Sequence, residues 1–207
     1  MIDIQHESKT KFLDAAMHVI RVKGYTATRI EDVCEEAGLT KGSFFHHFKS
    51  KEELATAAAD HWSEVTSGLF AYAPYRELSD PLDRVLAYVD FRKAILLGRP
   101  LCDFTCLVGT MVQEVYDTNP LIREACNRSI SEHAATVEAD IAEAMQRHGM
   151  EVEWTAQSLA LYIQATLQGA FVLAKAKSGP EIALSCIDHL HRYIEMLFLN
   201  RFQESTS

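Results

Sequence analysis

Residues 28–54 read TRIEDVCEEAGLTKGSFFHHFKSKEEL, and this stretch decides the fold. Thr28 and Glu31 have the spacing of a capping box, which begins a helix, and Gly38 suits the left-handed residue that ends one. Thr40 can cap a further helix that is only about two turns long. A helix, a turn that contains glycine and a short second helix together predict a helix-turn-helix.

Helix start and stop signals continue on both sides of this stretch. An apolar stripe at helical spacing precedes it and ends at Gly24, and a Ser50–Glu53 capping box opens a fourth helix that runs to about residue 70. Asp-Pro at 80–81 and Asn-Pro at 119–120 each place proline in the first helical position. The later predicted helices cover about 80–98, 103–117, 119–149, 153–177 and 180–202.

These signals predict an all-α protein of nine helices without a credible strand. The first three helices form a helix-turn-helix domain over residues 1–50, and the longer helices form a separate bundle over residues 51–207. We place the boundary inside the fourth helix, near residue 50.

Composition restricts the classes of function. The 207 residues carry a net charge of −9, which argues against a wholly basic nucleic-acid-binding protein. Residues 1–60 hold 8 Lys and Arg against 10 Asp and Glu, giving −2, whereas the remainder holds 12 against 19, giving −7. Any DNA contact must therefore come from a few locally placed cations.

The cellular compartment of the protein is predicted from its cysteines and from its hydrophobic pattern. Five widely spaced cysteines without an export signal are typical of reduced thiols, so we expect a cytoplasmic protein. No run of 18 apolar residues occurs, and we expect no membrane span.

Residues 28–54 resemble the DNA-binding signature of the tetracycline-repressor-like (TetR/AcrR) family. The family signature consists of a helix cap, a turn glycine, a Lys-Gly-Ser triplet and a run of aromatic residues, and all four occur here in that order. Nine helices in about 200 residues also fit that family's architecture. The resemblance implies a dimeric, ligand-responsive transcriptional regulator, most often a repressor released from a palindromic operator by a small molecule; activation is also possible.

A recognition helix reads base edges with its N-terminal residues, and phosphates favour helix N-termini and cations. Phe44 and Phe48 share a face and are expected to pack inward. The family commonly has tyrosine where this chain has Phe45 and His47, so the contacts of these two positions differ from the usual pattern. The predicted DNA-binding residues are Thr28, Arg29, Thr40, Lys41, Gly42, Ser43, Phe45, His46, His47, Lys49 and Lys51.

The resemblance also implies a dimer interface made by the last two helices and an effector site in the bundle. In the eighth predicted helix an apolar stripe contains Leu159 and Ile163, and in the ninth one contains Ile187 and Ile194. Two such helices from each subunit would make a four-helix bundle, although an internal core is the alternative. The predicted ligand-binding residues are Trp62, Tyr88, Phe91, Cys102, Cys106, His133, Gln164, Gln168 and Phe171.

Residues 99–115, RPLCDFTCLVGTMVQEV, resemble a stretch found in a subgroup of the family, and this resemblance implies a candidate cysteine sensor of electrophiles or oxidants. Cys102 and Cys106 are four residues apart, and Cys106 is expected in the first turns of a helix, where a thiolate is favoured. Simple packing of both thiols is the alternative.

Other classes of function have less support. The sequence contains no HExxH, GxSxG or phosphate-binding loop, so we predict no enzyme and no cofactor. The histidines show no metal-ligand spacing, and the spacing of Cys102 and Cys106 is not a usual zinc one. A metal-sensing regulator of the same fold, with these two cysteines and a histidine as ligands, stays an alternative. A helical interaction module that binds no DNA is a further alternative, for which the acidic net charge is the best support.

Overall fold

The computed structural model describes residues 4–199, and the side chains from Glu7 onward. Within these residues the chain forms ten α-helices and one 3₁₀ turn, Pro74–Glu77, and no strand. The helices are α1 (Ile4–Lys23), α2 (Ile30–Ala37), α3 (Lys41–His47), α4 (Lys51–Ala71), α5 (Pro81–Leu96), α6 (Leu101–Phe104), α7 (Leu107–Val115), α8 (Pro120–Arg147), α9 (Ala156–Ala176) and α10 (Glu181–Leu199). The all-α prediction is confirmed.

The extra helix comes from a break that the sequence analysis missed. The single helix predicted over 103–117 is two, α6 and α7, because Cys106 has an extended backbone and caps the second one. Its Sγ accepts a hydrogen bond from Gly109 N at 3.4 Å. The other bounds agree within a few residues, and residues 200–202 of the last predicted helix lie outside the described residues.

The chain divides into two compact units. The helix-turn-helix unit comprises the residues up to Gly68 together with Thr105–Ile130, and the bundle unit comprises Leu69–Phe104 together with the residues from Ser131 onward. The helix-turn-helix unit therefore contains α1 to α3, most of α4, α7 and the first turns of α8. The predicted boundary at residue 50 concerns function and stays a prediction.

The helix-turn-helix unit is built on one apolar core. Phe12 of α1, Phe44 of α3 and Phe48 are buried together with Leu107 and Met111 of α7. Fully burying a side chain of this size contributes about 1.5–3 kcal/mol. Segments far apart in sequence are thus joined by the same core.

The bundle unit buries the apolar stripes of its last two helices internally. Leu159 and Ile163 of α9 and Ile187 and Ile194 of α10 are at most 4% exposed, and α9 packs along α10. The stripes that suggested a partner therefore form the unit's own core. In length and composition α9 also meets the criteria for a membrane-spanning helix. The core helix of a soluble protein meets the same criteria, so this is weak evidence for a span, and 44% of the apolar window of α9 is buried.

Ion pairs fix α5 within the bundle unit. Arg84 donates to Asp140 of α8 at 2.8 Å and to Glu143, and Arg76 donates to the second Asp140 oxygen at 2.7 Å. Lys93 pairs with Asp188 of α10 at 2.5 Å. These contacts hold α5 against α8 and α10.

Candidate DNA interface and effector site

The turn between α2 and α3 is fixed by local hydrogen bonds. Gly38 adopts φ +64°, which favours glycine, and Leu39 N donates to Cys34 O at 3.0 Å. Thr40 Oγ1 then accepts from Ser43 N at 3.2 Å and caps α3, as predicted. The turn is therefore closed at both ends by interactions that the sequence signals.

Aromatic side chains anchor one face of α3. Phe44 is fully buried and meets Phe12 edge to face at a centroid distance of 5.6 Å. Phe48, also buried, contacts the same ring at 6.4 Å. Phe45 lies on the opposite side, where 54% of the residue is exposed, and touches only the edge of the core through Phe44.

The exposed side of α3 carries several of the predicted DNA-binding residues. Lys41, Gly42, Phe45 and His46 are all exposed. Lys41 pairs with Glu31 of α2, and this contact is the main reason that the pKa of the Glu31 carboxyl lies below its usual range. Both side chains are more than half exposed, so a phosphate or a base can replace the carboxylate at little cost.

Gly42 is not required by the fold. A Cβ atom there would meet only Thr40 Oγ1, at an ordinary contact distance of 3.7 Å. The missing side chain therefore leaves the backbone of α3 open to an outside partner rather than to a neighbouring helix.

His47 is held by α1. Its Nε2 lies 2.7 Å from Ser8 Oγ, and its ring lies beside Phe12. Burial lowers the pKa of His47, and the nearby charges of His46 and Lys9 lower it further, so the ring is neutral at pH 7. A neutral ring bound to Ser8 is positioned rather than freely rotating.

Thr28 and Lys51 both hold the loop at residues 24–28. The Thr28 hydroxyl is buried and donates to Gly24 O at 2.6 Å. The Lys51 ammonium donates to Tyr25 O at 3.1 Å and to Thr28 O at 3.0 Å, and it lies over the Tyr25 ring. The structure therefore places these two predicted phosphate contacts inside the loop's own hydrogen-bond network.

Arg29 and Lys49 flank this network and are exposed. Arg29 N donates to Asp32 Oδ2 at 2.7 Å, so α2 begins one residue later than the predicted Thr28–Glu31 box. Hydrogen bonds from Lys23 and then from Arg29 N lower the pKa of the Asp32 carboxyl. Lys49 N donates to Glu53 Oε2 at 2.7 Å, and its side chain projects outward.

Glu114 of α7 is a residue that sequence reasoning missed. Its two carboxylate oxygens accept hydrogen bonds from Tyr25 N at 3.0 Å and from Thr26 N at 2.7 Å. Gly24 has φ +87°, and a Cβ atom there would lie 2.6 Å from Glu114 Oε1. The loop is thus held on its carbonyl side by Lys51 and on its amide side by Glu114; no local sequence signal links Glu114 to it.

In the bundle unit, three predicted ligand-binding residues form a hydrogen-bonded chain. Gln164 Nε2 donates to Tyr88 Oη at 3.2 Å, and Tyr88 Oη lies 2.9 Å from His133 Nε2. Burial, reinforced by the charges of Arg92 and Arg76, lowers the pKa of His133 to about 3, so the ring is neutral. The neutral ring and the Tyr88 hydroxyl share one hydrogen bond, whose direction is set by the tautomer of the ring.

Aromatic rings and one arginine surround this chain. The Phe70 ring lies 4.6 Å from His133 and 5.7 Å from both Tyr88 and Phe91. The Arg92 guanidinium lies 5.3 Å from the Phe70 ring and 5.5 Å from the Phe171 ring. Arg92 was not predicted as a site residue, although it follows Tyr88 by one helical turn.

The other predicted ligand-binding residues are placed elsewhere. Gln168 follows Gln164 by one turn of α9 and is half-buried. Cys102 is on α6, where its thiol lies 3.6 Å from an Asp103 carboxylate oxygen. Trp62 and Cys106 belong to the helix-turn-helix unit, and the Trp62 ring packs under Arg21. Five of the nine, Tyr88, Phe91, His133, Gln164 and Phe171, are brought together directly or through Phe70 and Arg92.

Comparison with known proteins agrees with this architecture. Residues 12–58 match the family described as bacterial regulatory proteins, tetR family, and residues 81–184 match the C-terminal domain of LmrA/YxaF-like transcriptional regulators. The HTH-type transcriptional regulator LmrA of Bacillus subtilis (strain 168) is 27% identical over 195 residues, which cover 89% of this chain and 96% of LmrA.

Solved structures agree as well. A TetR transcriptional regulator from Chloroflexus aurantiacus J-10-FL is 30% identical and superposes with a TM-score of 0.80, covering 92% of this chain and 96% of that one. A TetR-family regulator from Agrobacterium tumefaciens gives the same TM-score at 17% identity, covering 91% and 98%, which shows the shared fold. The chain therefore belongs to the TetR family of bacterial transcriptional regulators, with a C-terminal domain of the LmrA/YxaF type.

Proposed function

We propose that this regulator is a cytoplasmic homodimer that represses transcription from a palindromic operator and is released when a small molecule binds in its bundle. The observation that carries the proposal is α3. Its apolar face is locked by Phe44, while Lys41, Gly42 and Phe45 are exposed at the end that would enter a major groove. A helix anchored in this way presents its base-reading residues in a fixed orientation.

The cationic contacts are few, as the acidic net charge requires. Lys41 is the candidate for a base or phosphate contact, and Arg29 and Lys49 are exposed on the flanking segments. Lys51 and Thr28 act on the loop at residues 24–28, so we assign them to positioning of α2 rather than to a free cationic surface.

The dimer proposal rests on the outer face of α9 and α10. Although the inner stripes are core, large apolar residues remain about half exposed on the same two helices, and the Tyr162 and Tyr193 rings contact one another at 5.1 Å. A contiguous exposed apolar face of this kind is typical of an interaction surface. The exposed residues are Leu161, Tyr162, Val172, Leu173, Tyr193, Met196 and Leu199.

The effector would release the regulator from its operator by binding one conformation of the protein more tightly than another. Two recognition helices read half-sites about 34–36 Å apart, and an effector that prefers a different spacing shifts the population away from DNA. The effector must bind that state more tightly than it binds the DNA-bound state. The cluster around Tyr88 and His133 is the proposed effector site, since it combines rings with a few convergent polar groups.

The primary test is operator binding measured by fluorescence anisotropy at fixed salt, with a fragment of the promoter beside the protein's own gene. Lys41→Gln is expected to weaken binding and to lower the slope of log Kd against log salt by about 0.9, the value of one phosphate contact. Lys177→Gln, which removes the same charge from an exposed position after α9, is the matched control. Equal binding by the two variants would contradict the placement of the interface.

Gly42→Ala gives a sharper test of the docking geometry. The added methyl group has room within the chain, so stability is expected to stay the same or to rise. Operator affinity is expected to fall at least about tenfold, because a misplaced backbone contact costs about 1.4 kcal/mol or more. Full affinity in Gly42→Ala would mean that the backbone of α3 does not approach the DNA closely.

Dimerisation is tested separately. Leu173→Asp and Met196→Glu place charges on the outer face of α9 and α10 and are expected to give monomers in sedimentation velocity. Leu97→Glu, a similarly exposed apolar residue beyond α5, is the control and is expected to leave the dimer intact.

A thiol switch at Cys106 is the second candidate for release. Its Sγ accepts the N–H of Gly109 at the start of α7, the helix that carries Glu114, so an adduct on Sγ would remove the cap of that helix. A quinone would then abolish operator binding by the wild type but not by Cys106→Ser. Loss of binding in both proteins would exclude Cys106 as the switch.

A further inference from the structure

One cation of the bundle unit differs from its neighbours. On α5, Arg84 pairs with Asp140 and Glu143, and Lys93 pairs with Asp188. Arg92, between them, is half-buried and has no hydrogen bond or ion pair to any described residue. Its only contacts of this kind are the faces of the Phe70 and Phe171 rings. Arg92 is therefore a guanidinium held in place without a counter-ion.

The way in which Arg92 is held indicates what it can bind. A ring face stabilises a cation but accepts none of its N–H groups, so the five donors in the guanidinium plane stay available. A half-buried charge without such acceptors is costly. The acceptor that fits a planar fork of donors is a carboxylate, which forms two parallel charge-assisted hydrogen bonds.

The surroundings of Arg92 restrict the rest of the ligand. The Phe70 ring that supports Arg92 also contacts His133 and Tyr88, whose side chains are neutral and already bonded to one another. The next cation, Arg76, is paired with Asp140. One unpaired cation beside rings and neutral polar groups matches a single negative charge on an apolar body, whereas a phosphate dianion would lack a second cation.

We propose that the effector of this regulator is an apolar or aromatic monocarboxylic acid whose carboxylate is bound by Arg92, beside the Phe70 and Phe171 rings. This inference rests on the proposed function, since it specifies the ligand class of the proposed effector site. Arg92 would thereby be the residue that selects acids over neutral analogues of the same shape.

The test compares acids with their amides. The probes are 2-naphthoate and decanoate, each at millimolar concentration, against 2-naphthamide and decanamide. With wild-type protein at least one acid is expected to raise the thermal midpoint and to weaken operator binding. Its amide is expected to bind at least about tenfold more weakly, because a bidentate charged contact contributes one factor of ten or more.

Variants assign the effect to Arg92. Arg92→Gln is expected to weaken binding of the acid at least about tenfold, and Arg92→Lys, which keeps the charge without the fork, is expected to lie between. Arg99→Gln removes an exposed arginine of the same unit and is expected to bind the acid as the wild type does. Circular dichroism reports whether each variant is folded, and the comparison of acid with amide on the wild type needs no variant.

Two results would overturn the inference. One is a wild-type protein to which neither acid binds, or to which an acid and its amide bind equally. The other is a folded Arg92→Gln that binds the acid as tightly as Arg99→Gln does. If the wild type binds its operator but fails these tests, only the ligand class is wrong. If it does not bind its operator at all, the proposed function fails instead.

Discussion

The two units each contain a cluster of aromatic rings, and the clusters differ in what lies among the rings. In the helix-turn-helix unit, Phe12, Phe44 and Phe48 each contact the other two rings directly. In the bundle unit the rings surround the Tyr88 hydroxyl, His133 and an arginine. An apolar cluster fixes the position of a helix, whereas a cluster that contains polar groups can exchange some of its contacts for those of a ligand.

The largest effect on stability is expected when a ring of the apolar cluster is removed. Phe44→Ala removes a fully buried ring and should lower the free energy of unfolding by about 3–5 kcal/mol, measured by chemical denaturation. Phe45→Ala is the matched control, since its ring is more than half exposed and the expected loss is within about 0.5 kcal/mol. Operator affinity should respond to Phe45→Ala, and equal destabilisation by both changes would contradict the packing.

The next largest effect is the pH dependence of the free energy of unfolding that His133 of the polar cluster causes. Because the pKa of His133 is lowered to about 3 from 6.5, the unfolded chain binds a proton that the folded protein does not. The stability that the neutral His133 ring contributes is therefore complete above the pKa of this histidine in the unfolded chain. It is lost as the pH falls toward the pKa of His133 in the folded protein. Between about pH 6 and pH 4 the wild type should lose about 1.4 kcal/mol per pH unit more than His133→Gln.

A control histidine separates this effect from general acid denaturation. His189→Gln replaces an exposed ring of α10 and should keep the wild-type dependence on pH. If His133→Gln and the wild type lose stability in parallel over this range, His133 is not the neutral, buried group described here.

A smaller effect is expected from the hydroxyl of Tyr88. Tyr88→Phe keeps the ring but leaves His133 Nε2 and Gln164 Nε2 without their partner, which should cost about 1–3 kcal/mol in free energy of unfolding. Tyr72→Phe removes a hydroxyl from an almost fully exposed ring and should change nothing measurable. No loss in Tyr88→Phe would mean that the chain of hydrogen bonds is not formed in solution.

The smallest change in stability is expected at Glu114, on the surface of the helix-turn-helix unit. Glu114→Gln weakens two charge-assisted hydrogen bonds to the loop at residues 24–28 and should cost about 1 kcal/mol. Operator affinity should fall as well, although Glu114 carries no charge that attracts DNA. Glu124→Gln, an exposed acid of α8, is the control, and a rise in affinity in both variants would indicate a simple charge effect.

Local signals in the sequence were sufficient for the turn and for the start of α3. Gly38 and Thr40 act within five residues of their partners, so their roles could be predicted. The break before α7 was missed because cysteine is an uncommon cap. The start of α2 was predicted one residue early, since both Glu31 and Asp32 can serve as the capping acid.

Long-range partners could not be predicted in the same way. Glu114 is 88 residues from Thr26, and nothing in periodicity or capping relates the two positions. Tyr88, His133 and Gln164 were selected individually as polar or aromatic residues of the bundle, but their order in one hydrogen-bonded chain depends on tertiary packing. Lys51 was expected to be available to phosphate, and only the fold reveals the three carbonyl groups that it contacts.

The contact between Glu114 and the loop after Gly24 bears on the construction of chimeric regulators. A protein that joined residues 1–50 of this chain to the remainder of a relative would present a foreign α7 to that loop. The fusion would work best where the relative has an acid at the position of Glu114, because the loop amides would otherwise lose their acceptors. Exchange of only the exposed positions of α3 avoids the problem, since those side chains lie outside the shared core.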